Sequence, residues 1–459
     1  MNNILNHFNE KITTLMESYL KNLIFSKGIA NFTEDLVAEF AEFGSNLTQY
    51  LIEIVEETVF DLEERKEIFS SIKKVPRSVI SIFGEITFNR RYYEESNGEK
   101  VYLTDKIIGM KSNKRLLDNV RERLIDSAIN ASYEYAGEHA AYGVKISRQE
   151  VKNEIEKLNL DNNFYPECDE KKKVENIYII ADEDHVHLQK GGIEEPRLVI
   201  VYDNILQQGK RIELKNKHHL GGVYKNKIDD LWDEVANYVE NTYDIDYAKN
   251  IFISGDGASW IKTGTKWINK SINILDRFHM VKAINAIAGK DNIPNKVKLY
   301  RNIANLDFET FKEDCNEILS EEMNYTIRIN KERLMNYILN NKTGIENYYK
   351  YKKILHGCSA ESHVSHVYSD RMSSRPMGWK SENVNNMSKL RLLKADNISV
   401  KTILEKQEKI INIDEYKDIK EKAKRKVNIE FNPISLPIMT FGNHEEKEFL
   451  KNLLEIKAI

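Results

Sequence analysis

Cysteine is scarce in this 459-residue chain: Cys168, Cys315 and Cys358 stand far apart, with no CxxC pair. A disulfide framework and a zinc ribbon are therefore excluded, and a reducing, cytoplasmic setting is expected. No apolar run approaches the roughly 18 residues that a membrane span requires, and the mean hydropathy is −0.55. The first ten residues carry Asn, His and Glu where a signal peptide would place a basic and then an apolar stretch. Charge of one sign is also lacking, with 68 Lys+Arg against 72 Asp+Glu and a net of −4. That balance excludes a disordered polyelectrolyte and, at face value, disfavours nucleic acid as a partner. What is present is 41% hydrophobic residues on a length that allows about three domains.

The small net charge hides an uneven distribution. Residues 1–67 carry 5 basic and 13 acidic side chains, net −8, so the remainder nets +4. Residues 68–93 and 389–426 are the clearest basic stretches. Solvated helix faces give the same composition, so position decides what these charges do.

Residues 3–25 and 33–67 read as two helices, with Phe40, Phe43, Leu47, Leu51, Ile54 and Val55 at 3–4 spacing and Asn31-Phe32-Thr33 as capping chemistry. This acidic module (1–70) suits packing or oligomerisation. After Pro76 the pattern turns to strands, 79–83 and 85–88, leading into Arg90-Arg91-Tyr92-Tyr93 (segment 71–105). Positive charge beside aromatics can grip phosphates and stack on bases, which makes Arg90 and Arg91 candidates for DNA contact.

Residues 106–160 read as a helix-turn-helix. Gly143 supplies a left-handed turn residue between helices 132–141 and 147–158. Ser147-Arg148-Gln149-Glu150 is a capping box. Ile146, Val151 and Ile155 are expected to pack inward, and Arg148, Gln149, Lys152 and Asn153 to face DNA. A charged linker (161–175, with Pro166) follows. Strands are then expected at 174–182, 185–190, 196–205 and 209–217, a helix at 228–243, a strand at 250–254, a helix at 259–269 and a strand at 272–275. That order is the one a ribonuclease-H-like α/β core uses, here in two parts: 174–277, then, after a helical insertion at 278–356, 357–430 with a basic helical tail. A C-terminal tail covers 431–459. The fold class is thus multidomain α+β.

Two apolar strands end in aspartate, at Asp182 and at Gly255-Asp256-Gly257. Ligands bind beyond the carboxyl ends of strands in open α/β sheets, so these side chains point toward a site. Glu361 is the best third acid, on a helix that Ser359 can cap; Asp184 rivals Asp182 for the first position. Asp at a strand end is also a common helix cap or turn former. Three converging carboxylates need a cation, and oxygen ligands select Mg²⁺ or Mn²⁺. Two such ions suit phosphodiester chemistry. His363 and His366 have no soft ligands nearby to complete a zinc site.

The order Asp182, Asp256, Asp276-Arg277-Phe278-His279, Glu361 resembles the DDE transposases of the Mutator and bacterial IS256-like superfamily. More closely, the chain resembles the ISLre2 family of insertion-sequence transposases. The likeness runs through Gly84 to Tyr93, Ala181-Asp182-Glu183-Asp184-His185-Val186, Gly255-Asp256-Gly257, Cys358-Ser359-Ala360-Glu361 and Ser365 to Trp379. The resemblance implies Asp182, Asp256 and Glu361 as ligands of two Mg²⁺ or Mn²⁺ ions, with Asp276 and His279 beside them. It further implies binding of terminal inverted repeats, cleavage and strand transfer into target DNA, and a homodimer or higher oligomer on DNA. Arg371, Arg375 and Trp379 are expected to touch the transposon end. Arg371 and Arg375 would share a helical face unless Pro376 ends the helix first. A structure-specific nuclease or resolvase of the same fold, or a non-catalytic DNA-binding derivative, are the alternatives.

Overall fold

The computed structural model describes residues 2–23, 29–161, 164, 170–209, 211–225, 227–375, 377–407 and 417–426. Cys168, Pro166, Pro376 and the tail 431–459 lie outside the described residues. The protein is a multidomain mixed α/β chain that divides into two compact units. Among the described residues no helix is long and apolar enough to cross a membrane.

The first unit takes the chain through Ala128, the stretch Ser132–Glu154 and the helix Lys417–Lys426. Its elements are α1 (Asn2–Leu23), α2 (Ile29–Phe60), α3 (Glu63–Ile68), β1 (Phe69–Ser81), β2 (Gly84–Glu95), β3 (Lys100–Val101), α4 (Leu103–Ile107), α5 (Asp118–Asn130), α6 (Tyr133–His139) and α7 (Arg148–Glu156). Asn31-Phe32-Thr33 lies inside α2 and not at its start. The expected helix 33–67 breaks before α3. Strand β1 begins well before Pro76. It is the edge strand of the order β1-β2-β3, where a missing N–H faces outward and costs no ladder bond. The β1–β2 hairpin runs from Ser81↔Gly84 to Phe69↔Glu95. Val59, Leu62, Phe69, Tyr93 and Leu103 form the core beneath it, with Ile419 and Ala423 of the basic C-terminal helix.

The second unit is built on a five-stranded sheet. Its strands are β4 (Asn176–Glu183), β5 (Val186–His187), β6 (Ile193–Glu194), β7 (Arg197–Tyr202), β8 (Asn204–Gln208), β9 (Arg211–Lys215) and β10 (His218–Gly222). Then come α8 (Ile228–Thr242), β11 (Asn250–Gly255), α9 (Ser259–Trp267) and β12 (Ser271–Leu275). The sheet order is β10-β7-β4-β11-β12, antiparallel from β10 to β4 and parallel from β4 to β12. The sequence reading placed the third antiparallel strand at 209–217. Within that span Arg211–Lys215 instead pairs with β8 in a separate ribbon, and the sheet strand is His218–Gly222. The expected strand 185–190 reduces to the two-residue β5–β6 ladder.

Alternation along β4 assigns the two faces of the sheet. Ile177, Ile179 and Ala181 pack with Trp232 and Val235 of α8 and Ile261 of α9. Tyr178, on the other face, stacks on Tyr202 and Phe252 and meets His356. Helices α10 (Arg277–Ala288), α11 (Ile293–Ala304), α12 (Phe308–Glu321), α13 (Tyr325–Asn340) and α14 (Lys342–Tyr351) follow β12 and share their own core around Ile284, Leu299, Phe311 and Ile338. The chain then returns through α15 (Ala360–Val364), a π-helical turn (Ser365–Ser369), α16 (Asp370–Met372), α17 (Ser381–Ala395) and α18 (Val400–Gln407).

Candidate active site

The strand register sets the geometry of the acids. Ile180 is paired with Ser254 across the parallel β4–β11 ladder, and Gly255 with Leu275 across β11–β12. Carried on by one or two residues, that register brings Asp182 level with Asp256, and Asp256 level with Asp276. Three aspartates thus stand in a row at the carboxyl ends of three adjacent parallel strands, Asp182 inside the last two residues of β4 and the other two just beyond β11 and β12.

Each aspartate also organises its own turn. Asp182 Oδ1 accepts from the Glu183 N–H at 2.9 Å, and Asp256 Oδ1 from the Ala258 N–H at 2.8 Å. Asp276 is the N-cap of α10, accepting from the Phe278 N–H at 3.1 Å. Gly257 adopts φ +85°, a conformation that disfavours a side chain, and Asn341 fills the space a Cβ would take. The capping role foreseen as a rival explanation is therefore real, and it occupies only one oxygen of each carboxylate in the bonds seen.

The electrostatics exceed what capping needs. Burial, with the Asp256 charge adding to it, pushes the Asp182 carboxyl up to about 6 against the pull of the Glu183 N–H. Burial raises Asp276 as well; the Phe278 N–H and His279 oppose the rise, while Glu361 and Asp256 add to it. His279 Nε2 lies 3.9 Å from Asp276 Oδ2. Burial lifts the Cys358 thiol far above its ordinary range, with Asp276, Asp182 and Asp256 contributing. Glu361 sits in the first turn of α15, exposed. Ser359 holds the N-cap position there, yet its hydroxyl makes no capping bond, contrary to expectation.

Asp184 belongs to different surroundings. It is buried, and Ser373 Oγ donates to it at 2.8 Å and 3.0 Å. Glu183, on the opposite face from Asp182, is held by Trp260 Nε1 at 2.5 Å and Arg197 at 2.8 Å. Asp182 has the Asp256 charge among the causes of its raised carboxyl.

Hard carboxylate oxygens, half-buried at Asp182 and Asp256 and buried at Asp276, match a divalent cation in kind. Among the described residues, however, no three His, Cys, Asp or Glu side chains are arranged to close on a metal ion. The acids meet as overlapping pairs instead, Asp182 with Asp256 and Asp276 with both Asp256 and Glu361.

The residues foreseen as DNA contacts divide sharply. Arg90 is paired with buried Asp105, lies 3.5 Å over the Tyr102 ring, and is pulled down to about 10 by burial and by Arg77. Arg91 bonds Glu57 at 2.7 Å and Glu56 at 3.3 Å and covers the Phe60 ring. Both arginines are spent on the protein's own carboxylates. Arg371 and Trp379 are buried against each other at 4.8 Å, and Trp379 Nε1 donates to the Met372 carbonyl. Arg375 is exposed, but α16 ends at Met372, so it shares no helical face with Arg371.

The expected helix-turn-helix geometry is present in α6 and α7. Gly143 has φ +63°, the Ser147 hydroxyl accepts from the Glu150 N–H, and Ile146, Val151 and Ile155 are buried. Arg148 and Gln149 are exposed, whereas Lys152 and Asn153 are half-buried. Arg148 bonds Glu134 at 2.7 Å, and Gln149 bonds Asn153 at 2.7 Å. Sequence reasoning missed Tyr337, whose hydroxyl donates to the Asp256 carbonyl at 2.5 Å. No local signal marks that tyrosine among the chain's 23.

Fold and site together define a mixed α/β protein with carboxylates gathered at the ends of parallel strands. The chain belongs to the Uncharacterised protein family (UPF0236), which it matches over residues 26–409. It is similar to the UPF0236 protein TTE0402 of Caldanaerobacter subterraneus subsp. tengcongensis, at 32% identity over 91% of this chain and 89% of the relative. A second protein of that organism, a UPF0236 protein named for eleven loci, is 34% identical over 93% of this chain and 90% of its own length. The UPF0236 protein in vanSb 3'region of Streptococcus gallolyticus is 24% identical over 61% of this chain and 63% of its own.

Proposed function

We propose that the chain is an insertion-sequence transposase of the ISLre2 type, with a ribonuclease-H-like core that cuts and joins DNA. The observation that carries this reading is the in-register row Asp182, Asp256 and Asp276, with Glu361 close enough to act on the Asp276 charge. Asp182, Asp256 and Glu361 would hold Mg²⁺ or Mn²⁺, which supplies an activated water or 3′-hydroxyl and stabilises the leaving oxygen. The protein's own groups prepare this. Burial raises the Asp182 carboxyl to about 6, so a bound positive charge would favour its ionised form, and Asp276 stands 3.9 Å from the His279 ring nitrogen at the mouth of α10.

A family relative named for eleven loci supports the reading, because an element that copies itself leaves its gene at many positions. End recognition is assigned to the exposed Arg148 and Gln149 of α7, with Arg375 as a further contact.

The test is nicking of a supercoiled plasmid carrying the element's ends, with Mg²⁺, followed by strand transfer of labelled ends. Cleavage without transfer would indicate a nuclease or resolvase. Full activity in Asp256→Asn would sink the site assignment.

A further inference from the structure

The helical insertion grips the turn that bears Asp256. Tyr337, on α13, donates its hydroxyl to the Asp256 carbonyl at 2.5 Å. One turn later the Asn341 side chain donates from Nδ2 to the Tyr337 carbonyl at 2.8 Å and rests against Gly257, where a Cβ would lie 2.5 Å from its Oδ1. Asn341 is buried and its Oδ1 has no hydrogen-bond partner. Lys262, just past the turn, donates to the Asn340 carbonyl at 3.3 Å. The same insertion holds the neighbouring strand end: Asn347 Nδ2 donates to the Asn273 carbonyl at 3.0 Å, and Gly344 lies close against Leu275. Two of the three carboxylate-bearing strand ends are therefore clamped by α13 and α14.

We infer that Tyr337 is a positioning residue: its hydroxyl, on a backbone that Asn341 holds through the Tyr337 carbonyl, fixes the Asp256 backbone and so the direction in which that carboxylate presents itself to a divalent cation. A tyrosine serving only as core would need its ring alone. Here the tyrosine is half-buried and its hydroxyl has one close acceptor, the backbone of the acid whose orientation matters most. A charge-free hydroxyl suits the position, since a cationic donor would neutralise the acids it is meant to orient. The clamp also ties the insertion's own core, around Ile338, to the acidic edge, so a shift of α13 moves Asp256.

The inference rests on the reading of Asp182, Asp256 and Glu361 as cation ligands, and the test separates the two. Mn²⁺ is titrated into the full-length chain at neutral pH and free ion is read by electron paramagnetic resonance, with thermal unfolding measured alongside. Tyr337→Phe keeps the ring and removes the hydroxyl; it is expected to weaken Mn²⁺ binding roughly fivefold, the worth of one hydrogen bond, while the unfolding temperature stays near that of the parent. Asp256→Asn is expected to remove the same binding. If Asp256→Asn weakens Mn²⁺ and Tyr337→Phe does not, the positioning role is wrong and the site stands. If Asp256→Asn binds Mn²⁺ as the parent does, the cation site is wrong and the positioning role falls with it. Should Tyr337→Phe fail to fold, Asn341→Ala, which removes the brace and leaves the hydroxyl, decides by the same readout: weakened Mn²⁺ binding supports the role and unchanged binding overturns it.

Discussion

The hairpin of the first unit and the strand ends of the second are both dense in charge, and they handle it oppositely. On the hairpin, Arg91 faces Glu56 and Glu57, Lys74 faces Glu57, and Arg77 and Arg90 share Asp105. Two of the thirteen acids of residues 1–67, Glu56 and Glu57, are thus answered from inside the unit by the adjoining basic stretch 68–93, which also supplies the partners of Asp105. At the strand ends Asp182, Asp256, Asp276 and Glu361 share one sign; the His279 ring lies 3.9 Å from Asp276, and among the described residues no Lys or Arg forms an ion pair with the four. A charged motif whose counter-charge is encoded nearby is structure. One whose counter-charge is missing calls for a partner from outside.

The largest effect that would break this contrast is at Asp256. Asp256→Asn should lower Mg²⁺-dependent cleavage by at least roughly 10³-fold, about 4 kcal/mol in the barrier, with little change in folding. Retained cleavage would place the missing counter-charge elsewhere.

The hairpin should respond in stability. Arg91→Ala leaves Glu56, fully buried, with the Tyr93 hydroxyl as its remaining named partner at 3.2 Å. A loss of about 3 to 5 kcal/mol is expected, the cost of orphaning a buried charge, measured by urea unfolding. Replacing Arg91 by Met, which keeps the packing over Phe60, should recover part of the loss if packing contributes. A neutral result would free the arginine for the DNA contact first assigned to it.

The comparison also explains what could be read from the sequence. Strand ends were legible because a strand is a local pattern: runs such as Ile177 to Ala181 and Ile251 to Ile253 are apolar on both faces and end abruptly in acid. The helical insertion and the turn at Gly143 were legible for the same reason. Burial of an arginine is not local. Nothing near Arg90 says that Asp105 will meet it, and nothing near Arg371 says that Trp379 will lie beneath it. Strand β10 was missed because His218-His219-Leu220-Gly221-Gly222 has little strand character. It is held there by Asp396, which bonds His219 through both ring and backbone. Tyr337 was hidden by 81 residues of separation from Asp256.

A smaller effect concerns pH. The Asp182 carboxyl is raised from 3.8 to about 6 by burial, so between those values the folded chain holds a proton that the unfolded chain has released. Without metal, stability should therefore fall as pH rises from about 4 to about 6 and then level off, by up to about 3 kcal/mol. Mn²⁺ should restore it by favouring the ionised form, and Asp182→Asn should flatten the profile. Stability that rises across that window in the parent and in Asp182→Asn alike would show that the acids are not in conflict.

The smallest effect distinguishes the two kinds of arginine directly. Arg148 is exposed and its bond to Glu134 is a surface pair, screened by solvent and readily exchanged for a phosphate. Arg148→Ala should leave the unfolding temperature nearly unchanged. It should also reduce the slope of log K against log salt for end binding by about 1, because one fewer counterion is released. Arg90→Ala should do the reverse: the salt slope holds, since Asp105 and the Tyr102 ring already occupy that guanidinium, while stability falls. If Arg90→Ala changed the salt slope as Arg148→Ala does, the hairpin would be a DNA surface after all, and the internal pairing would be a resting state that DNA displaces.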